Sequence, residues 1–187
     1  MNVEKTALEG VLIVTPDVYT DERGSFMELF QEARYQEVLG LPADEHFVQD
    51  NFSVSKKRAL RGLHYQAPPF AQGKLVSVLR GRVLDVAVDI RFGSPTFGQY
   101  VAVELSGDNH RQLWIPRGFA HGFVVLEDDT FFIYKCTNFY SKEHDRGVLW
   151  NDPFLGIDWG VESPLVSEKD QKHPLLKDIQ KEFEFKS

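Results

Sequence analysis

Sulfur is scarce in this chain. One cysteine, Cys136, and two methionines among 187 residues exclude an intramolecular disulfide and any metal site built from several thiolates. Long apolar runs are also missing: Arg, Asp or Gly interrupts the hydrophobic stretches every few positions, far short of the roughly 20 residues that span a bilayer. No secretory leader pattern opens the chain, so the expected compartment is the cytoplasm. Positive charge is in deficit, with 21 Lys and Arg against 28 Asp and Glu and a formal charge of −7. That balance argues against a general nucleic-acid surface, and an anionic small ligand would need locally placed Arg and Lys. No repeat, low-complexity tract or linker divides the chain, so residues 1–187 are expected to form one domain.

What is present reads as β structure. Hydrophobic residues make up 42% and charged residues 26%, ordinary globular values, and 15 Phe suggest large side chains in a sheet-lined interior. From Phe47 to Ile133 apolar residues alternate with polar ones, and turn signals recur about every 8–12 residues, a sandwich or barrel signature. Lys74–Arg80, Gly81 and Arg82–Ile90 read as one hairpin, and Tyr100–Leu105 with Arg111–Ile115 as another. A short helix is expected from Gln31 to Leu39, stopped by Gly40 and Pro42. Leu175, Leu176 and Ile179 predict a helical tail over Ser167 to Lys181, with Pro174 near a boundary. The fold class is therefore all-β, with short peripheral helices in the N-terminal third and at the C-terminus.

Two segments concentrate side chains capable of chemistry. In Arg61-Gly62-Leu63-His64-Tyr65-Gln66 the Arg and His lie three residues apart, so in a regular strand they face opposite sides. A bulge at Gly62 would bring them to one face. A lone His in a β core is more often a satisfied structural residue than a catalyst, yet Arg61 and Lys74 bracket this one and would be unfavourable to bury without an anionic partner. The second segment, Pro116-Arg117-Gly118-Phe119-Ala120-His121, resembles the second short motif of the cupin superfamily, jelly-roll barrels in which that histidine points into the cavity. Metal-binding cupins carry a His-x-His pair in their first motif; here the position reads His64-Tyr65-Gln66, so the usual metal set is incomplete.

The order of several short motifs is specific. Asp21-x-Arg23-Gly24-x-Phe26, Arg61 to Gln66, Gln72-Gly73-Lys74-Leu75-Val76, Asp85 to Asp89, Gly93 to Gly98, Trp114 to Phe123, Trp150-Asn151-Asp152-Pro153 and Ser167-Glu168-Lys169-Asp170 follow one another over nearly the whole chain. This succession resembles the dTDP-4-dehydrorhamnose 3,5-epimerase family, metal-free cupin-type jelly-roll barrels. The resemblance implies epimerisation at C3 and C5 of dTDP-4-dehydro-6-deoxy-D-glucose. Both hydrogens are alpha to the C4 ketone, so a base on one face, an acid on the other and a cation at the oxyanion suffice, with no metal or other cofactor.

By the same resemblance His64 is the base, Asp170 its partner carboxylate, Tyr134 the opposing acid and Lys74 the cation at the C4 oxygen. Arg23, Phe26, Glu28, Gln49, Asn51 and Arg61 match positions that hold the nucleotide and diphosphate, and Tyr140 matches an aromatic beside the base. His121, Asp145 and Lys169 match further ligand contacts; Asp145 departs from a more usual Glu and is one methylene shorter. Asp85 is the candidate to orient His121. The Arg23 segment is expected to reach a neighbouring subunit's site, which implies a homodimer with exchanged N-terminal strands.

Read without the resemblance, Tyr134 is a core aromatic on the same strand face as Phe132, Asp170 a helix-terminal acid and Arg23 a turn residue. Three alternatives stay open: an enzyme that inverts one centre only or isomerises a related ketosugar, a cupin that binds without catalysis, and a metal cupin using His64, His121 and a carboxylate.

Overall fold

The computed structural model describes residues 1–185. Its strands are β1 (Asn2–Lys5), β2 (Leu12–Thr15), β3 (Val18–Asp21) and β4 (Gly24–Met27), followed by helix α1 (Glu32–Leu39). Then come β5 (Gln49–Ser55), β6 (Ala59–Gln66), β7 (Lys74–Arg80), β8 (Arg82–Asp89), β9 (Tyr100–Ser106), β10 (Gln112–Ile115), β11 (Phe119–Val125), β12 (Thr130–Cys136), β13 (Asp145–Gly147) and β14 (Leu165–Val166). One sheet has the order β1-β2-β10-β7-β12-β5, and the other β13-β6-β11-β8-β9, with β14 pairing β6. Strands β3 and β4 form a separate two-stranded hairpin.

Neither expected hairpin forms. β7 pairs with β10 and β12 in the first sheet while β8 pairs with β9 and β11 in the second, so Gly81 turns the chain across the barrel. A single connecting residue is shorter than the two-residue loop of a tight hairpin. Gly81 has φ +78, and a Cβ there would lie 2.3 Å from Thr130 Oγ1, which closes the arch. Likewise β9 and β10 sit in opposite sheets, joined by a turn in which Asn109 Oδ1 accepts the Ser106 and Arg111 N–H groups at 3.0 Å. A two-residue period reveals that a strand has two unlike faces, but not which neighbour it pairs with.

Three apolar layers follow. Between the sheets pack Val76, Val78, Val83, Ala87, Leu105, Phe123 and Phe132. The outer face of the second sheet, with Leu60, Leu63, Val86 and Val88, is covered by Val148, Leu155, Trp159 and Leu176 of the C-terminal segment. The outer face of the first sheet, with Val14, Leu75 and Trp114, lies beneath Tyr35 and Leu39 of α1. Each such burial stabilises by roughly 1.5–3 kcal/mol before chain entropy is counted. Helix α1 starts where the Gln31 side chain accepts the Arg34 N–H at 2.7 Å and stops at left-handed Gly40, φ 65.

The tail differs from expectation. Instead of one helix over 167–181 it carries two three-residue 3₁₀ turns, Asp170–Lys172 and Leu176–Asp178. Pro174 has no N–H to donate and disfavours helical backbone at His173, which is extended at φ −63, ψ 150. Leu176, only 1% exposed, pins the second turn to the sheet.

Candidate active site

A cleft enters between the two sheets. Its parts, about 550 and 400 Å3 in volume, share Asn51, His64, Lys74, Tyr134 and Lys169. Strand β6 reaches it through an irregularity: His121 is registered opposite His64 and Phe123 opposite Arg61, so three steps on β6 match two on β11. The extra residue falls at Gly62–Leu63. Gly62 has φ +138, and a Cβ there would lie 2.5 Å from Gly122 Cα, so both the conformation and the close approach require glycine. With that bulge Arg61 and His64 both line the cleft while Leu63 stays in the outer core.

His64 Nε2 lies 2.7 Å from Asp170 Oδ1, and Asp170 Oδ2 accepts the Gly62 N–H at 3.2 Å. The same glycine thus bends the strand and anchors the carboxylate. Burial pushes the His64 imidazole below its ordinary value despite the pull of Asp170, which keeps the ring neutral around pH 7. Burial acts to raise the Asp170 carboxyl, but His173, His64 and the Gly62 N–H outweigh it and hold the group well below the usual carboxylate range. The arrangement is a neutral imidazole with a fixed tautomer beside a permanent anion.

From the opposite sheet, β12 and β7 present Tyr134 and Lys74. Tyr134 is registered beside Val76, and the Lys74 ammonium lies 6.0 Å from the Tyr134 ring centroid. Burial raises the Tyr134 phenol to about 12, so it remains a proton donor. Burial lowers Lys74, against the attraction of Cys136, Asp145 and Asp85. A second pair sits deeper: His121 Nε2 meets Asp85 Oδ1 at 2.9 Å and Oδ2 at 3.0 Å, the orientation expected of Asp85. Burial raises the Asp85 carboxyl in spite of His121 and Lys74.

The outer end of the cleft is a polar network. Asp145 pairs with the Lys169 ammonium, accepts the Tyr140 hydroxyl at 3.2 Å and faces Gln66 Nε2 at 3.4 Å. Burial tends to lower Lys169, yet Asp145 draws it upward. Gln49 accepts the Tyr140 N–H at 2.9 Å and donates to Asn51 at 3.1 Å. Arg61 Nη2 donates to Ser55 at 3.3 Å. Three cations, Arg61, Lys74 and Lys169, therefore line one cleft of an acidic chain.

Of the expected site residues, Arg23, Phe26 and Glu28 lie outside this cleft. Arg23, with its side chain 89% exposed, pairs with Asp21 at 2.5 Å, and Phe26 is 72% exposed on the β3–β4 hairpin. Glu28 pairs with Arg34 at 2.6 Å. Sequence reasoning missed Gln66, Gln72, Phe123, Cys136 and Ser167, which also line it. Gln66 and Gln72 stand within quoted motifs, and that proximity was the available signal. Burial pushes the Cys136 thiol up to about 11. Among the described residues, His64, Asp170 and His173 bring metal-type donor atoms within 4.8 Å of one another; His121 is not part of that cluster.

Comparison with known proteins shows the family. A family model described as dTDP-4-dehydrorhamnose 3,5-epimerase matches residues 5–178. This chain belongs to that family. A dTDP-4-dehydrorhamnose 3,5-epimerase of Shigella flexneri is 57% identical over 170 residues, 91% of this chain and 93% of the relative. The Legionella pneumophila dTDP-6-deoxy-D-glucose-3,5-epimerase, solved in complex with dTDP-4-keto-L-rhamnose, superposes with a TM-score of 0.95 at 51% identity, covering 100% of this chain and 99% of that one. A 3'-monoepimerase from Streptomyces bikiniensis, solved with dTDP-quinovose, has a TM-score of 0.86 at 34% identity, covering 92% and 86%. The epimerase family is cupin-like, and this member is an isomerase-class enzyme.

Proposed function

We propose that this epimerase inverts C3 and C5 of dTDP-4-dehydro-6-deoxy-D-glucose to give dTDP-4-dehydro-L-rhamnose, with His64 as base and Tyr134 as acid. The observation that carries this reading is that the two side chains enter one cleft from opposite sheets, with Lys74 beside the phenol. With the proton on His64 Nε2 donated to Asp170, the Nδ1 lone pair is free to take the hydrogen at C5 or C3. The C–H electron pair moves into the C4 carbonyl, and the enolate oxygen develops charge toward the Lys74 ammonium. Tyr134 returns a proton to the opposite face, leaving phenolate and imidazolium to re-equilibrate with solvent. Two such cycles invert both centres, and all electrons are accounted for without a metal or redox cofactor.

Arg61 and Lys169 suit the diphosphate, since a guanidinium holds paired oxygens and stays charged. Gln49, Asn51 and Tyr140 suit the nucleoside end, with His121 and Asp145 as further contacts. Arg23, Phe26 and Glu28 complete a neighbouring copy's cleft in a homodimer: an exposed hairpin that carries an arginine and an aromatic ring fits delivery to another chain. Mixing Arg23→Ala with His64→Asn protein should restore part of the activity that each lacks. Residues 1–187 act as a single domain. The proposed compartment is the cytoplasm, with no nucleic-acid partner; no helix among the described residues is long and apolar enough to cross a membrane.

Turnover in deuterated water tests the reaction. Deuterium at both C3 and C5 of the product supports the proposal. Label at one carbon alone makes the enzyme a single-centre epimerase, the reading favoured by its likeness to the 3'-monoepimerase.

A further inference from the structure

The mechanism above leaves one buried imidazole unused. His173, just before Pro174, has its side chain only 10% exposed, and its Nε2, sealed from solvent, makes no hydrogen bond of ordinary geometry. Asp170 Oδ1 stands 3.5 Å from that nitrogen, and the same oxygen meets His64 Nε2 at 2.7 Å. The two imidazole rings lie edge to face with centroids 5.5 Å apart. The backbone makes room for this second ring: a Cβ at residue 147 would fall 2.5 Å from His173 Nε2, so Gly147 on β13 leaves the space the imidazole fills. A sealed polar nitrogen is unfavourable unless paired, and a small approach with the proton on Nε2 would pair it.

We propose that His173 is a positioning residue for the catalytic pair: its Nε2–H donates to Asp170 Oδ1, so two imidazoles and the Gly62 N–H hold one carboxylate. The inference rests on the reading of His64 as base and Asp170 as its partner. A metal ion is the rival occupant, because the same three side chains converge. Two ligands of a tetrahedral zinc at ~2.0–2.1 Å sit roughly 3.3 Å apart. His64 Nε2 and Asp170 Oδ1 are 2.7 Å apart, the spacing of a direct hydrogen bond.

The consequence for catalysis has a definite sign. A second donor spreads the carboxylate's charge, limits its hold on the His64 proton and stops the group from rotating. Without that donor the His64 imidazolium is stabilised more strongly, and the neutral base is reached only at higher pH. The ionisable groups facing His173 are Asp170 and His64 on the catalytic side. Tyr65, Asp145, Arg146 and Asp178 line a cavity of about 250 Å3 on the other.

The test compares His173→Phe, which keeps a ring and loses the donor, with His173→Gln, whose amide nitrogen can replace Nε2. Both are measured beside wild type and His64→Asn for kcat, KM, the acid limb of the pH profile and Tm. For the phenylalanine variant kcat should fall roughly tenfold, the scale of one lost hydrogen bond to a charged group, with KM nearly unchanged. Its acid limb should move to higher pH, and glutamine should recover most of both changes. A His173→Phe enzyme with wild-type kcat and pH profile overturns the inference, whatever its Tm, and so does a glutamine variant no better than phenylalanine. Should His173→Phe not fold, His173→Leu carries the same comparison. Loss of wild-type activity in excess chelator would assign Nε2 to a metal and overturn it too. An active His64→Asn enzyme sinks the functional reading itself, whereas an inactive one beside a wild-type-like His173→Phe sinks this inference alone.

Discussion

Two histidine–carboxylate pairs face the same cleft from adjacent strands. His64 and His121 are registered opposite each other on β6 and β11, yet their surroundings differ. The His64 side chain is 30% exposed to the cleft and Asp170 takes a backbone N–H as well; His121 is 7% exposed and Asp85 is sealed. Burial without further donors pushes the Asp85 carboxyl up, while hydrogen bonds overcome burial at Asp170 and hold it down. The same two residue types thus give a carboxylate held ionised beside an accessible ring in one place and a sealed pair in the other. What separates the two is the count of donors to the carboxylate and the access of the ring.

This contrast can be broken experimentally. Replacing His64 by Asn should lower turnover by roughly 10³-fold, within the range for a lost general base, while the circular dichroism spectrum stays that of the wild type. Lys74→Met should lower kcat by roughly 10²-fold, as for one oxyanion donor, with KM little altered in steady-state assays. Asp170→Asn should lower kcat at least as far as any change at Asp85, through loss of the His64 tautomer. For the sealed pair the main effect should be on folding: Asp85→Asn should destabilise by about 2 kcal/mol in urea titrations, the scale of a buried polar group left unpaired. If Asp85→Asn instead spares stability and abolishes turnover, the division between the two pairs is wrong.

The smallest effect is on pH dependence. The base must be deprotonated, and burial holds His64 below the ordinary imidazole value, so the acid limb of kcat/KM should lie below pH 6.5. The acid must be protonated, and Tyr134 is raised to about 12, so no alkaline limb from it should appear near neutrality. An acid limb well above 6.5 would exclude His64 as the base.

Much of this was legible from the amino acids. Gln31 and Gly40 bound α1 because capping is a local matter, and Gly62 flagged the bulge because only a break in alternation lets Arg61 and His64 share a face. Eleven of the residues that the family resemblance implied line the cleft. Strand pairing was not legible: Gly81 and the Asn109 turn send the chain to the opposite sheet, and alternation is the same for an arch and a hairpin. The tail misled because leucine spacing predicts a helix, while Pro174 divides it into two turns. His173 gave no signal at all, since its nearness to Asp170 depends on how that divided tail folds back onto β6 and β13.

The central claim is that base and acid stand on opposite faces of one sugar ring. The most direct measurement is to follow exchange and inversion separately in deuterated water with Tyr134→Phe. Removal of the substrate hydrogen by His64 should continue, so deuterium should wash into recovered starting material while inversion falls by roughly 10²-fold or more. Inversion at the wild-type rate in that variant would contradict the account, because the proton would then be arriving from some group other than Tyr134.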